Sequence, residues 1–202
     1  MNPPKVVVFD LGKVLLDFDY TITARKIFAR CRVPAHDIVK LINQSPLLLR
    51  YESGALTTEE FFAEIKSAAG FSGDLDEFSE LFGNIFSPIE PMIELHATLR
   101  GRSIPTFIFS NTNELAVRDI RARFPFFQNF DGYVFSYEHG SMKPEAKLYQ
   151  AVERVTGRRE SEILYLDDRP ENVAAGVARG WRAVLHETPD QSKAEVSQAG
   201  LL

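Results

Sequence analysis

The chain has 202 residues, 45% of them hydrophobic and 25% charged, which is the composition of an ordinary folded globule long enough to bury a sizeable core. A net charge of −5, without any run of Lys or Arg, gives no electrostatic reason for nucleic acid or an anionic membrane as partner. The single cysteine, Cys31, makes no intramolecular disulfide, no apolar run approaches the roughly 20 residues that cross a bilayer, and no apolar leader precedes Val6. The expected setting is the cytoplasm and the expected partner a small molecule.

The first apolar run, Val6 to Phe9, has the β-branched and aromatic character of a strand buried on both faces. About ninety residues without a convincing strand follow it. Helical periodicity over Ile22 to Cys31, Asp37 to Ile42, Thr58 to Ala69 and Leu75 to Phe86 predicts a helical cap over residues 17–87. Thr57 and Glu60, just after Gly54, have the spacing of a capping box. Phe61, Phe62, Phe78, Phe82 and Phe86 are the expected cap core, and Cys31 is read as a small buried residue of a helix. Pro88 and Pro91 mark the return to the main body. Four further runs, Thr106 to Phe109, Tyr133 to Phe135, Ile163 to Leu166 and Trp181 to Leu185, alternate with helical stretches Glu114 to Phe124, Glu145 to Thr156 and Glu171 to Ala178. That alternation predicts an α/β fold, a doubly wound parallel sheet built from residues 1–16 and 88–202 with the cap inserted after the first strand. The polar segment after His186 reads as a loosely attached tail.

Ligands of such sheets sit beyond the carboxyl ends of the strands, so the residues that close each run are the ones to weigh. Asp10 closes the first and is placed to act as nucleophile and metal ligand, with Gly12 two residues on. Ser110 and Asn111 close the second, where a hydroxyl and backbone amides can hold phosphate oxygens. Lys143 follows the third and supplies a cation; Asp167 and Asp168 close the fourth and complete an oxygen-rich magnesium site. Each is ordinary alone: Asp as turn former, Ser-Asn as helix cap, Lys and the acidic pair as solvated surface. Four such signatures at successive strand ends, in this order, are a site. Arg50, Tyr51 and Glu52 near Gly54 are placed to reach substrate from a cap loop, with Arg50 as the binding candidate. His36, His96, His139 and His186 lack ligand spacing and are assigned to the surface or loops.

Asp10-Leu11-Gly12, Ser110-Asn111, Lys143-Pro144 and Asp167-Asp168 resemble the four motifs of the haloacid dehalogenase superfamily, across residues 5 to about 185. Phe9-Asp10-Leu11-Gly12, Ser110-Asn111-Thr112-Asn113 and Met142 to Tyr149 are similar to the branch with bacterial α-glucose-1-phosphate phosphatases, which carries a helical cap. The resemblance implies a transient aspartyl phosphate on Asp10, assisted by Ser110 and Lys143. It also implies magnesium on the Asp10 carboxylate, the Gly12 carbonyl and a motif-four Asp, with Asp168 preferred. The implied activity is magnesium-dependent hydrolysis of a small phosphomonoester, a sugar phosphate in the first place.

One departure stands out. Phosphatases of this superfamily usually place an acid/base Asp at the position of Gly12; without it, slow turnover or a good leaving group such as an anomeric phosphate is expected, since acid/base help is worth about a hundred- to ten-thousand-fold. Asp17 and Asp19 are nearby, with capping of the first cap helix as the preferred role. The rival readings are a metal-free 2-haloacid dehalogenase, disfavoured by the adjacent carboxylates, a phosphomutase, and a binding protein on a decayed fold.

Overall fold

In the computed structural model, which describes residues 2–43 and 45–202, β1 (Val6–Phe9) lies at the centre of a five-stranded parallel sheet. The chain then runs through β2 (Leu16–Phe18), five helices α1 (Tyr20–Phe28), α2 (Ala35–Ile42), α3 (Pro46–Glu52), α4 (Thr58–Ala69) and α5 (Leu75–Gly83), and β3 (Phe86–Pro88). The remainder alternates: α6 (Glu90–Gly101), β4 (Thr106–Ser110), α7 (Glu114–Arg123), β5 (Gly132–Phe135), α8 (Ser136–His139), α9 (Ala146–Thr156), β6 (Ile163–Asp167), α10 (Pro170–Ala178), β7 (Arg182–Leu185) and α11 (Pro189–Gln198).

The strand order β5-β4-β1-β6-β7 reverses direction at β1, so the carboxyl end of that strand opens a crevice between neighbours built from different halves of the chain. Side chains alternate across the sheet: Val7 and Phe9 enter one core with Leu95, Leu99, Val117 and Phe127, while Val6 and Val8 enter the other with Phe109, Tyr149 and Trp181. Both faces of β1 are therefore dry, which explains its unbroken apolar run.

The helices between β2 and β3 enclose a separate core of Ile27, Ile38, Phe61, Phe78 and Phe82, with the Tyr51 and Phe61 rings stacked 4.4 Å apart. The capping box at the start of α4 is formed: Glu60 N–H donates to Thr57 Oγ1 at 3.2 Å and Thr57 N–H to Glu60 Oε2 at 2.8 Å. Leu115 of α7 joins this cluster and so ties cap to body.

Several expectations need correction. The segment after β1 does contain strands: β2 and β3 pair antiparallel, Phe18 opposite Phe86, and form the two-stranded hinge between body and cap. Both are three residues long, too short to show an alternation, and β3 ends in a proline. Phe86 accordingly leaves the cap core and packs against the body. Arg50 to Glu52 lie on helix α3 rather than in a loop; Ser45 caps it and Pro46 starts it, a start signal that the short apolar stretch obscured. Helix α1 ends at Phe28, leaving Cys31 half-buried beyond it. The segment after His186 is attached: Thr188 caps α11, and Val196 and Leu201 are buried in the main core. His96 and His186 are buried, His96 stacked on Phe130 at 3.9 Å with its Nε2 3.1 Å from Thr106 Oγ1, and His186 Nδ1 2.7 Å from Ser192 Oγ. Among the described residues, no helix is long and apolar enough to cross a membrane.

Candidate active site

Beyond the carboxyl edge of β1, β4 and β6, beneath the cap, lies a cavity of about 600 Å³ lined by Asp10, Gly12, Ser110, Asn111, Lys143 and Asp168 from the body and by Phe18, Tyr20, Leu48, Leu49 and Glu52 from hinge and cap. The sequence candidates Asp10, Gly12, Ser110, Asn111, Lys143 and Asp168 are thus brought together. Arg50 is not: it is exposed and bonded to Glu64 of α4, on the outer face of α3. Neighbouring positions of a helix point in different directions, so with Glu52 facing the cavity, Arg50 faces away.

Lys143 is the electrostatic hub. Its buried ammonium donates to Asp10 Oδ1 at 2.9 Å, to Asp167 Oδ2 at 2.6 Å and to the Phe109 carbonyl at 3.0 Å, which uses all three protons. Burial works against its charge, but the two carboxylates outweigh burial and hold its pKa above the usual lysine value. The backbone that delivers it is fixed by a reciprocal pair with Asn111: Lys143 N–H donates to Asn111 Oδ1 at 2.7 Å and Asn111 Nδ2 to the Lys143 carbonyl at 3.1 Å. The Asn111 side chain therefore spends one donor and its acceptor joining two loops.

The three carboxylates differ in what they have left to offer. Asp167 is saturated, accepting on Oδ2 from Lys143 and the Tyr165 hydroxyl and on Oδ1 from Arg169 N–H at 2.8 Å and Asn172 Nδ2 at 3.0 Å. Burial alone would raise its pKa, but Lys143 and these bonds hold it below the usual carboxylate range. Asp10 accepts from Leu11 N–H at 2.7 Å and from Lys143, both on Oδ1. Burial pushes its pKa up to about 8 despite Lys143. Asp168 is raised by burial and by Asp167. Among the described residues, no other residue donates a hydrogen bond to Asp10 Oδ2 or to the Asp168 carboxylate. Oxygens of Asp10, Asp167 and Asp168 lie within 4.8 Å of one another, so three acids share one buried cation, and the two with free lone pairs fit a hard divalent ion.

Asp17 and Asp19 divide as the hinge dictates. Asp19 caps α1, accepting from Thr21 N–H at 2.8 Å and Thr21 Oγ1 at 2.7 Å. Asp17 sits on β2 and pairs with Lys13, so only Asp19 caps the helix. The residue types at the strand ends revealed the body's share of the site. Glu52 and Tyr20, whose hydroxyl lies 3.4 Å from Glu52 Oε1, depend on how the cap folds back.

The chain is 24% identical over 179 residues to a sesquiterpene phosphatase of Aspergillus oryzae, spanning 87% of this chain and 86% of the relative. It is 22% identical over 192 residues to a D-ribitol-5-phosphate phosphatase of Bacteroides thetaiotaomicron, spanning 91% and 92%. Its fold superposes on a haloacid dehalogenase family enzyme of Bacteroides thetaiotaomicron, solved with magnesium and inorganic phosphate, at a TM-score of 0.78 with 21% identity over 90% of this chain and 93% of that one. The L-2-haloacid dehalogenase of Xanthobacter autotrophicus is similar at a TM-score of 0.62, with 20% identity over 88% and 75%. The family model of haloacid dehalogenase-like hydrolases matches residues 4–180, and with Asp10, Ser110, Lys143 and Asp168 gathered at one sheet edge, the chain belongs to that family of hydrolases.

Proposed function

We propose that the chain is a magnesium-dependent phosphatase of small phosphomonoesters that works through an aspartyl phosphate on Asp10. The observation that carries this reading is the imbalance of charge at the cavity floor, where three carboxylates face one lysine and two of them keep free oxygens. Asp10, Asp168 and the Gly12 carbonyl would hold the ion, which when bound neutralises charge on Asp10 and on the phosphoryl group. Asp167 belongs to Lys143 instead, fixing the ammonium beside the nucleophile. Lys143, Ser110 and the adjacent backbone amides face the charge that the transition state spreads over the phosphoryl oxygens. The Asp10 carboxylate attacks phosphorus as the bond to the ester oxygen breaks, and that oxygen takes up a proton to leave as alcohol. Water then attacks the aspartyl phosphate, gives up a proton and displaces Asp10 as a free carboxylate. A metal-free dehalogenase would gain nothing from the free carboxylate of Asp168 beside Asp10.

A sugar or polyol phosphate is the favoured substrate. The cavity volume of about 600 Å³ suits such a molecule, and Asp19, Asn43 and Glu52 offer polar groups to its hydroxyls. The similarity to a ribitol-5-phosphate phosphatase supports the same class. A second reading rests on the other wall, where Phe18, Tyr20, Leu48, Leu49 and Phe86 present an apolar surface suited to a hydrocarbon ester, the class named for the sesquiterpene phosphatase. Release of phosphate from sugar, polyol and prenyl phosphates, with and without magnesium, decides between them. No magnesium-dependent release from any ester, or from p-nitrophenyl phosphate, would refute the proposal.

A further inference from the structure

Resting on the phosphatase reading, the geometry points to Glu52 of the cap as the general acid and base that position 12 does not supply. Gly12 carries no side chain, and the space above it is taken: a Cβ there would lie 2.7 Å from Phe18 Cε1. The proton must come from another group that faces the cavity. Asp168 and Asp10 are committed to the ion and to the nucleophilic role. Lys13 is bound to Asp17 and to the Phe18 carbonyl, and Arg169 never gives up its proton at neutral pH. Asp19 is held as a carboxylate by its cap bonds to Thr21, which keep it below the usual carboxylate range. Glu52 remains.

Its placement is built from both sides. Glu52 is the last residue of α3, its backbone carbonyl accepts from Ser136 Oγ of the body at 2.6 Å, and Ser136 is itself bonded to the Thr112 carbonyl at 3.1 Å and N–H at 2.9 Å. The cap residue is thereby anchored, through Thr112, to the loop that follows Ser110. Its half-buried side chain lines the same cavity as Asp10, with the Tyr20 hydroxyl 3.4 Å from Oε1. Burial pushes the Glu52 carboxyl up to about 7, against the opposing pull of the Tyr20 hydrogen bond and of the Arg169 charge. On the elements packed against α3, Lys40 and His36 of α2 pair with Asp37, and Glu60 and Glu64 of α4 are bonded to the Thr57 N–H and to Arg50. Lys66 of α4 donates to the Gly73 carbonyl, and Glu138 of α8 accepts from Tyr137. Beside them, Glu59 of α4 is exposed and His139 of α8 half-buried. A carboxyl titrating near neutrality populates both forms that acid/base catalysis needs.

The two steps balance. Asp10 forms its bond to phosphorus as the phosphorus–ester oxygen bond breaks, and the protonated Glu52 gives its proton to the departing alkoxide. Water then attacks the aspartyl phosphate, the Glu52 carboxylate takes the proton of that water, and the phosphorus–Asp10 bond breaks to release inorganic phosphate. The enzyme returns with Glu52 protonated and Asp10 ionised.

The test is a series of phosphate esters of graded alcohol pKa, from p-nitrophenyl to simple alkyl, cleaved by wild type and Glu52→Gln with magnesium. The amide keeps the size and the hydrogen bond to Tyr20 but carries no acidic proton. Alkyl ester kcat/KM is expected to fall about 10²- to 10⁴-fold in Glu52→Gln, with p-nitrophenyl phosphate lowered less than about tenfold. Wild-type alkyl ester kcat/KM is expected to decline as pH rises through about 7, a limb that the variant lacks. Equal losses across the series, no loss at all, or a wild-type series already as steep as the variant's would overturn the assignment. Magnesium-dependent cleavage of p-nitrophenyl phosphate by both proteins would show at the same time that the phosphatase reading stands without it.

Discussion

Phe18 occupies the space that a side chain on residue 12 would need, its Cε1 lying 2.7 Å from a Cβ built on Gly12. The ring cannot step aside freely, since it packs edge-on against Tyr20 at 5.6 Å and against Phe86 at 6.1 Å across the hinge. Gly12→Asp is therefore expected to lower stability by about 1 to 3 kcal/mol and to lower turnover, although it restores the acid usual at that position. Pairing it with Phe18→Ala should recover part of the stability. Urea unfolding and p-nitrophenyl phosphate kinetics of the three variants check this; a faster Gly12→Asp single variant would contradict it.

The body of the fold was legible because its strands are buried on both faces, and runs such as Val6 to Phe9 and Ile163 to Leu166 leave no other role for themselves. The body's share of the candidate site was legible for a related reason: Asp10, Ser110 and Asp168 stand where dry strands give way to the crevice. The cap's share of the site was not. Arg50 and Glu52 are two positions apart, and which of them faces the cavity depends on the rotation of α3, set by Ser45, Pro46 and the burial of Leu48 and Tyr51. The hinge was invisible because Asp17 and Pro88 break any apolar alternation in strands of three residues. The buried state of His96 comes from stacking on Phe130, a contact between residues far apart in sequence.

Asp167 and Asp168 are expected to fail differently. Asp168→Ala removes a carboxylate with free oxygens and should weaken magnesium binding with little change in stability. Asp167→Ala strips a partner from Lys143, Tyr165, Arg169 and Asn172 at once and should cost on the order of 3 kcal/mol or more. Magnesium titration calorimetry and urea unfolding of both variants separate the effects. The reverse pattern would show that the saturated carboxylate is the metal ligand.

Tyr51 joins cap to body: its hydroxyl accepts from Leu115 N–H at 3.2 Å and lies 2.7 Å from Thr58 Oγ1, which in turn donates to Glu114 Oε2 at 2.5 Å. Tyr51→Phe leaves the buried Leu115 N–H without that partner and should cost about 1 to 2 kcal/mol. Because α3 also holds Glu52, KM for a sugar phosphate should rise. Unchanged stability and KM would mean that the cap is docked by apolar contact alone.

His96 governs part of the acid sensitivity. Burial pushes its pKa down from 6.5 to about 4, with the nearby Arg100 charge acting in the same direction. The unfolded chain thus takes up a proton below about 6.5 that the folded one refuses until about 4, and stability falls as pH drops through that window. The loss attributable to His96 is about 3 kcal/mol at its fullest. Urea unfolding of wild type and His96→Phe at intervals from neutral pH to pH ~4 should show a shallower decline in the variant. Parallel curves would assign the acid lability to other groups.

Phosphoryl transfer through Asp10 is tested most directly by an acid quench during turnover of a phosphorus-radiolabelled ester with magnesium present, followed by peptide mapping. Label is expected on the peptide that contains Asp10, in an acid-stable, base-labile acyl phosphate. It should be absent without magnesium and absent in Asp10→Asn, whose turnover should fall by more than about 10³-fold. Steady hydrolysis by Asp10→Asn at the wild-type rate, or label fixed on another residue, would contradict the account.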